Sequence, residues 1–124
     1  MAKILVVDDT KIMRTTITRQ LEELGHKVVG EAQNGYESVE QYKKLKPDAV
    51  TMDITMPKLN NIGNGIDALC EIKKIDPDAL VIMLTSHGEQ KLVIDAITKG
   101  SKGYILKPVT KNKLADVLGK INIK

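Results

Sequence analysis

Phenylalanine and tryptophan are absent from the 124-residue sequence, tyrosine occurs three times, proline four times and cysteine once. The lone Cys70 has no partner within the chain, so no internal disulfide is predicted, and a single thiol suits a reducing cytosol better than a secreted setting. Only Tyr36, Tyr42 and Tyr104 offer rings to stack on bases, and the 17 lysines are scattered rather than clustered, so no nucleic-acid interface is expected. The apolar runs last only a few residues, too short to span a bilayer. The N-terminal MAKILVVDD meets a carboxylate pair before any signal-like segment can form. A cytoplasmic protein without membrane insertion is therefore expected.

What is present suits a globular domain. Hydrophobic residues make up 42% and charged residues 28%, a balance that excludes disorder, collagen-like repetition and a disulfide scaffold. The length lies below the roughly 150 residues per domain of a typical chain, so residues 1–124 are expected to form one domain. A chain of this size buries about two thirds of its unfolded surface. The net charge of +3 permits weak attraction to an anionic partner without requiring one.

Three short apolar runs end in polar residues: ILVV before Asp8 and Asp9, AVTM before Asp53, and LVIML before Thr85. They read as buried parallel strands, because both faces of each run are apolar and none is long enough for a helix. Weaker runs at 27–30 (KVVG) and 103–107 (GYILK) complete a set of five. Helical spacing fills the gaps. Met13, Ile17, Leu21 and Leu24 share a face over 11–24, with Gly25 placed to end that helix. Asn34 and Glu37 resemble a capping box for a second helix running to Leu45, where Lys46-Pro47 stops it. Ile66, Leu69, Ile72 and Ile75 support a third, ended by Asp76-Pro77; Leu92, Val93, Ala96 and Ile97 support a fourth, closed by Gly100. Thr110 can cap a fifth that carries Leu114, Val117, Leu118 and Ile121. Five alternations of strand and helix predict an α/β fold with a parallel sheet covered on both faces. The stretch NNIGNG at 60–65 is too long for a tight turn and is expected to be a surface loop.

Each notable polar residue follows an apolar strand, at the edge where parallel α/β sheets bind ligands. Asp8 and Asp9 follow the first, Asp53 closes the third, Thr85 follows the fourth and Lys107 the fifth. Carboxylates gathered there repel one another unless a cation intervenes. Oxygen donors without His or Cys suit a hard, partly hydrated ion, which favours Mg2+. Lys107 adds a second positive charge, so an anion such as a phosphoryl group can sit between metal and ammonium. Taken singly, the aspartates can be helix caps or loop acids, Thr85 a strand-end cap and Lys107 a solvated lysine. Their joint placement at separate strand ends is hard to obtain otherwise. Met52, Met56 and Met83 read as core filling.

The segments KILVVDDTKIMR (3–14), GEAQNGYESVEQYKKLKPDAVTMDITMP (30–57), MLTSHGE (83–89) and GYILKP (103–108) resemble the receiver domain of two-component response regulators, and among these the stand-alone chemotaxis type. The resemblance spans essentially the whole chain. It implies a flavodoxin-like, doubly wound five-stranded parallel sheet of order 2-1-3-4-5 with five helices. It further implies that Asp53 is the phosphoacceptor, a carboxylate nucleophile taking phosphoryl from a sensor histidine kinase or a small donor such as acetyl phosphate. Asp9, Asp53 and the carbonyl of Thr55 would hold Mg2+, with Asp8 acting through water. Lys107 would pair with a phosphoryl oxygen, Thr85 would move to bond another, and Tyr104 would turn inward in response. Thr55 and His87 would tune the phosphoryl lifetime, and Lys107-Pro108 would be a cis peptide. His26 reads as a loop residue. The partners implied are the kinase, a flagellar motor switch or other target protein, and a phosphatase. The chain would not be an enzyme beyond promoting its own phosphorylation and dephosphorylation.

One departure from the family pattern is the run MPKLNNIGNGIDAL, with about four extra residues at 60–63. Loop closure entropy grows slowly, by about 0.6 kcal/mol per doubling of length, so a neutral insertion is the simpler reading beside a loop that screens the acyl phosphate or contacts a partner. A phosphorelay intermediate is the alternative function. A Mg2+-dependent aspartyl phosphohydrolase fits less well, because the acids at 8 and 9 are adjacent and no capping segment is present. A flavin binder fits poorly, since bare carboxylates repel phosphate.

Overall fold

A computed structural model of the chain describes residues 1–121 and 123. Strands and helices alternate as β1 (Lys3–Val7), α1 (Lys11–Glu23), β2 (Lys27–Ala32), α2 (Gly35–Leu45), β3 (Ala49–Asp53), α3 (Gly65–Ile75), β4 (Val81–Thr85), α4 (Gln90–Thr98), β5 (Gly103–Leu106) and α5 (Lys111–Lys120). The strands form one parallel sheet in the order β2-β1-β3-β4-β5. This is the doubly wound, flavodoxin-like topology.

Side-chain alternation along each strand splits the core in two. Leu5, Val7, Val50, Met52, Val81 and Met83 point to one face, where α2 and α3 bring Val39, Tyr42, Ile66, Leu69 and Ile72. Ile4, Val6, Ile82 and Leu84 point to the other, where α1 and α5 bring Ile17, Leu21, Leu114 and Leu118. The central strands are buried on both faces, which is why their sequences are continuously apolar. Met52, Met56 and Met83 all belong to this buried set.

Helix starts are capped by short polar side chains. Thr10 accepts from the Met13 amide, Asn34 from Glu37, Asn64 from Ile66 and Asp67, and Thr110 from Lys113. The capping box at α2 is offset by one residue: the Glu37 carboxylate reaches back to the amide of Gln33, at 3.2 Å, not to that of Asn34. Gly25 follows α1 in the left-handed region, with φ of 91°.

Two expectations about helix faces need correction. Ile75 and Ile97 are 42% and 49% exposed, although the spacing places them with buried neighbours. Ile75 is the last residue of α3, where the chain turns away from the sheet. Ile97 lies on α4, a nine-residue helix whose only buried side chain is Ala96. Residues 60–65 also differ from expectation. Asn60 and Asn61 both have positive φ, 51° and 66°, and Leu59 and Ile62 exchange backbone hydrogen bonds at 2.9 and 3.0 Å. The stretch therefore contains a tight two-residue turn of the hairpin type, tolerated because asparagine adopts the left-handed conformation readily. Ile62 packs on the α2–α3 side of the core, so the turn leans toward those helices.

Candidate functional site

The chain leaves β1 toward β2 on one side of the sheet and returns to β3 on the other, so a crevice opens beyond the carboxyl ends of β1 and β3. Asp8 and Asp9 leave β1 into this crevice and Asp53 ends β3 beside them. One oxygen from each carboxylate lies within 4.8 Å of the others. Asp8 and Asp53 are buried, while Asp9 is exposed. The ammonium of Lys107, just past β5, is 3.3 Å from Asp53 Oδ1 and 3.7 Å from Asp8 Oδ2. The Lys107–Pro108 peptide is cis.

Asp8 is fixed from two directions. Its Oδ1 accepts the amide and hydroxyl of Thr10, at 2.9 and 3.1 Å, and its carbonyl accepts Arg14 Nη1 at 2.8 Å. Arg14 is anchored in turn by Glu31, at 3.0 Å. Asp8 Oδ2, by contrast, is buried with no hydrogen bond. Burial pushes the Asp53 carboxyl up from 3.8 to about 6; Lys107 opposes the shift, Asp8 adds to it, and the Thr55 amide and the Lys107 hydrogen bond oppose it further. Three acids facing one lysine leave uncompensated negative charge, and a buried oxygen that lacks a hydrogen bond points into it. An all-oxygen donor set of this kind fits a hard dication, with Asp8, Asp9 and Asp53 as the residues that could hold it.

Thr85 ends β4 and is buried, while His87 and Thr55 are exposed on the loops after β4 and β3. Tyr104 on β5 is 50% exposed. It lines a groove of about 370 Å3 with Thr85, Val93, Ile94, Ile97 and Leu106, so one end of the groove touches the crevice. The structure thus gathers Asp8, Asp9, Asp53 and Lys107, with Thr85 and Thr55 at the rim and Tyr104 on the adjoining face. His26 lies apart, buried in the turn before β2, where its Nδ1 accepts the Ala2 amide at 3.1 Å.

Sequence reasoning missed two residues of this site. One is Arg14, whose position four residues after Thr10 made it look like an ordinary helix-surface cation. The other is Glu89. Its Oε1 accepts Thr85 Oγ1 at 3.0 Å and the Ser86 amide at 2.5 Å, and its Oε2 accepts the Thr55 hydroxyl. Burial opposes ionisation of Glu89, yet hydrogen bonds from Thr55, Ser86 and Thr85, with Lys107 nearby, together hold it below its ordinary value. An acid just before a helix reads as a complement to the helix dipole, which hid this role.

Clustered carboxylates and a lysine thus form one rim at the switch point of this fold. Residues 4–119 match the response regulator receiver domain, and the chain belongs to that family. The chemotaxis protein CheY of Thermotoga maritima is 47% identical over 120 residues, covering 97% of each chain. CheY of Bacillus subtilis is 47% identical over 118 residues, covering 95% of each. Among solved structures, the CheY in a CheX-CheY-BeF3-Mg2+ complex from Borrelia burgdorferi superposes with a TM-score of 0.89 at 34% identity, over 98% of this chain and 90% of that one. A receiver domain protein from Clostridium thermocellum gives 0.88 at 38% identity, over 98% and 95%. Among the described residues no helix is long and apolar enough to cross a membrane.

Proposed function

We propose that this chain accepts a phosphoryl group on Asp53 from a sensor histidine kinase and signals, in chemotaxis, through the face formed by α4, β5 and α5. The observation that carries this reading is the buried Asp53 carboxylate held 3.3 Å from the Lys107 ammonium with two further acids in reach. An Asp53 oxygen attacks phosphorus, the bond from phosphorus to the donor nitrogen breaks, and the imidazole leaves with that electron pair. Lys107 is placed to stabilise the negative oxygens of the transferred group. Asp9, Asp53 and the Thr55 carbonyl would hold Mg2+, with Asp8 acting through water. Bound Mg2+ would supply charge neutralisation on the transferring oxygens. Thr85 would then turn to a phosphoryl oxygen and Tyr104 would follow it inward, a two-state repacking of the groove between them. BeF3 is a phosphoryl mimic, so its presence with Mg2+ on a relative bound to a second protein supports both the chemistry and an output by protein contact. A target at a flagellar motor switch fits the chemotaxis relatives.

Incubation with acetyl phosphate and Mg2+, followed by acid quench and intact-mass measurement, tests the reading. The expected product carries one phosphoryl group, mapped to the peptide containing Asp53, and EDTA abolishes it. No adduct, or an adduct elsewhere, would overturn the assignment.

A further inference from the structure

We propose that Glu89 is a positioning residue: its carboxylate latches the Thr85 hydroxyl at the β4–α4 loop and must release it before that hydroxyl can turn to a phosphoryl group. This rests on Asp53 being the phosphoacceptor. The Thr85 hydroxyl has one proton to donate. Its nearest acceptor is Glu89 Oε1 at 3.0 Å, against 3.4 Å to the Ser86 carbonyl. A phosphoryl group presents acceptors only, so Thr85 can donate to it only by withdrawing its proton from Glu89. The hydroxyl of Thr55, two residues past Asp53, is held by the other oxygen of the same carboxylate. Glu89 therefore ties together the two loops that border the phosphoacceptor.

Charge adds to the competition. A phosphoryl group on Asp53 carries close to two negative charges in place of the carboxylate's one, and so adds about one to a rim where Glu89 is already ionised and shares the field of Lys107. Repulsion and loss of the Thr85 proton both push the Glu89 side chain outward. Glu89 is also the residue whose carbonyl accepts the Val93 amide, at 3.0 Å, to start α4. That helix has no side-chain cap and one fully buried residue, Ala96. Release of the latch thus frees the start of a lightly anchored helix that carries Val93, Ile94 and Ile97 along the Tyr104 groove.

The test is titration of BeF3 in the presence of Mg2+ by calorimetry, with the Ser86 amide followed by NMR. Glu89→Ala is expected to bind BeF3 about tenfold more tightly than wild type, since the phosphoryl mimic no longer competes with a charged acceptor. Glu89→Gln, which keeps a carbonyl acceptor without the charge, is expected to gain about threefold and serves if the alanine variant folds poorly. In a Thr85→Ala background the Glu89→Ala gain should fall from about tenfold to about threefold, the part that loss of the charge supplies without the hydroxyl. In wild type, the Ser86 amide signal should move upfield on BeF3 addition as its charged acceptor leaves. Wild-type binding with no gain in either Glu89 variant, full gain retained in the Thr85→Ala background, or an unmoved Ser86 amide would overturn the latch alone. Failure of wild type to bind BeF3 at all would instead overturn the phosphoacceptor reading on which it rests.

Discussion

Asp53→Asn is expected to abolish phosphoryl uptake from acetyl phosphate and, in the metal-free protein at neutral pH, to raise stability. The first effect follows from removing the nucleophile, and a fall of at least about a hundredfold in labelling rate is expected. The second follows from burial. The folded carboxyl titrates near 6 against an ordinary value of 3.8, so the folded state holds its proton more tightly than the unfolded chain does. A raised value of this kind favours folding below pH 3.8, and that contribution is lost as pH rises through 6. That difference corresponds to about 3 kcal/mol, and the openness of the crevice to solvent reduces this to on the order of 2 kcal/mol. Asparagine carries no charge to desolvate, so its gain should be present at pH 7 and vanish near pH 4. Urea denaturation of both proteins in EDTA at the two pH values measures it. A variant less stable than wild type at pH 7, or one that still labels at Asp53's rate, would contradict this account of the carboxylate.

Gly65→Ala is expected to be among the most damaging single-methyl changes in the protein. A Cβ at this position would lie 2.2 Å from the carbonyl oxygen of Asp53 and 3.0 Å from Met52 Cγ. The first obstacle is backbone at the end of β3, which cannot swing aside as a side-chain tip would. The same glycine donates its amide to the Ile54 carbonyl at 2.6 Å, so the start of α3 and the end of β3 are clamped together. Relief requires displacing one of them, at a cost of about 3 kcal/mol or more. Because β3 presents the nucleophile, a shift of an ångström there should also slow phosphorylation by about a hundredfold. Gly119→Ala is the control, since a Cβ on that residue of α5 meets nothing within 4 Å. It should be neutral or stabilising by about 0.5–1 kcal/mol. Equal denaturation midpoints for the two variants would show that the close approach at Gly65 is unimportant.

The legible part of this protein is its strand ends. Buried parallel strands must be apolar on both faces, so the first polar residue after each run stands out, and Asp8, Asp9, Asp53, Thr85 and Lys107 were all visible on that ground. The sheet order came from family resemblance, because periodicity identifies strands without saying which neighbours they take. What escaped is side-chain direction around the strand-to-helix connections. Nothing in the spacing says that Glu89 folds back four residues to Thr85, or that Arg14 on α1 reaches back to the carbonyl of Asp8, since both depend on how a single connection turns in space. The turn at Asn60-Asn61 was not foreseen, because the run NNIGNG reads as one long loop when the asparagines' tolerance of positive φ is left out. Ile75 and Ile97 show the limit of helical periodicity: it marks a shared face, but whether the end of that face is covered depends on where the helix stops relative to the sheet.

The central claim is that the acids leaving β1 and β3 act together on one divalent ion, and calorimetric titration of the folded, metal-free protein with MgCl2 tests it most directly. One saturable ion per chain is expected, with binding weakened at least about tenfold by either Asp9→Asn or Asp53→Asn. Absence of any saturable uptake, or uptake that both substitutions leave untouched, would contradict it.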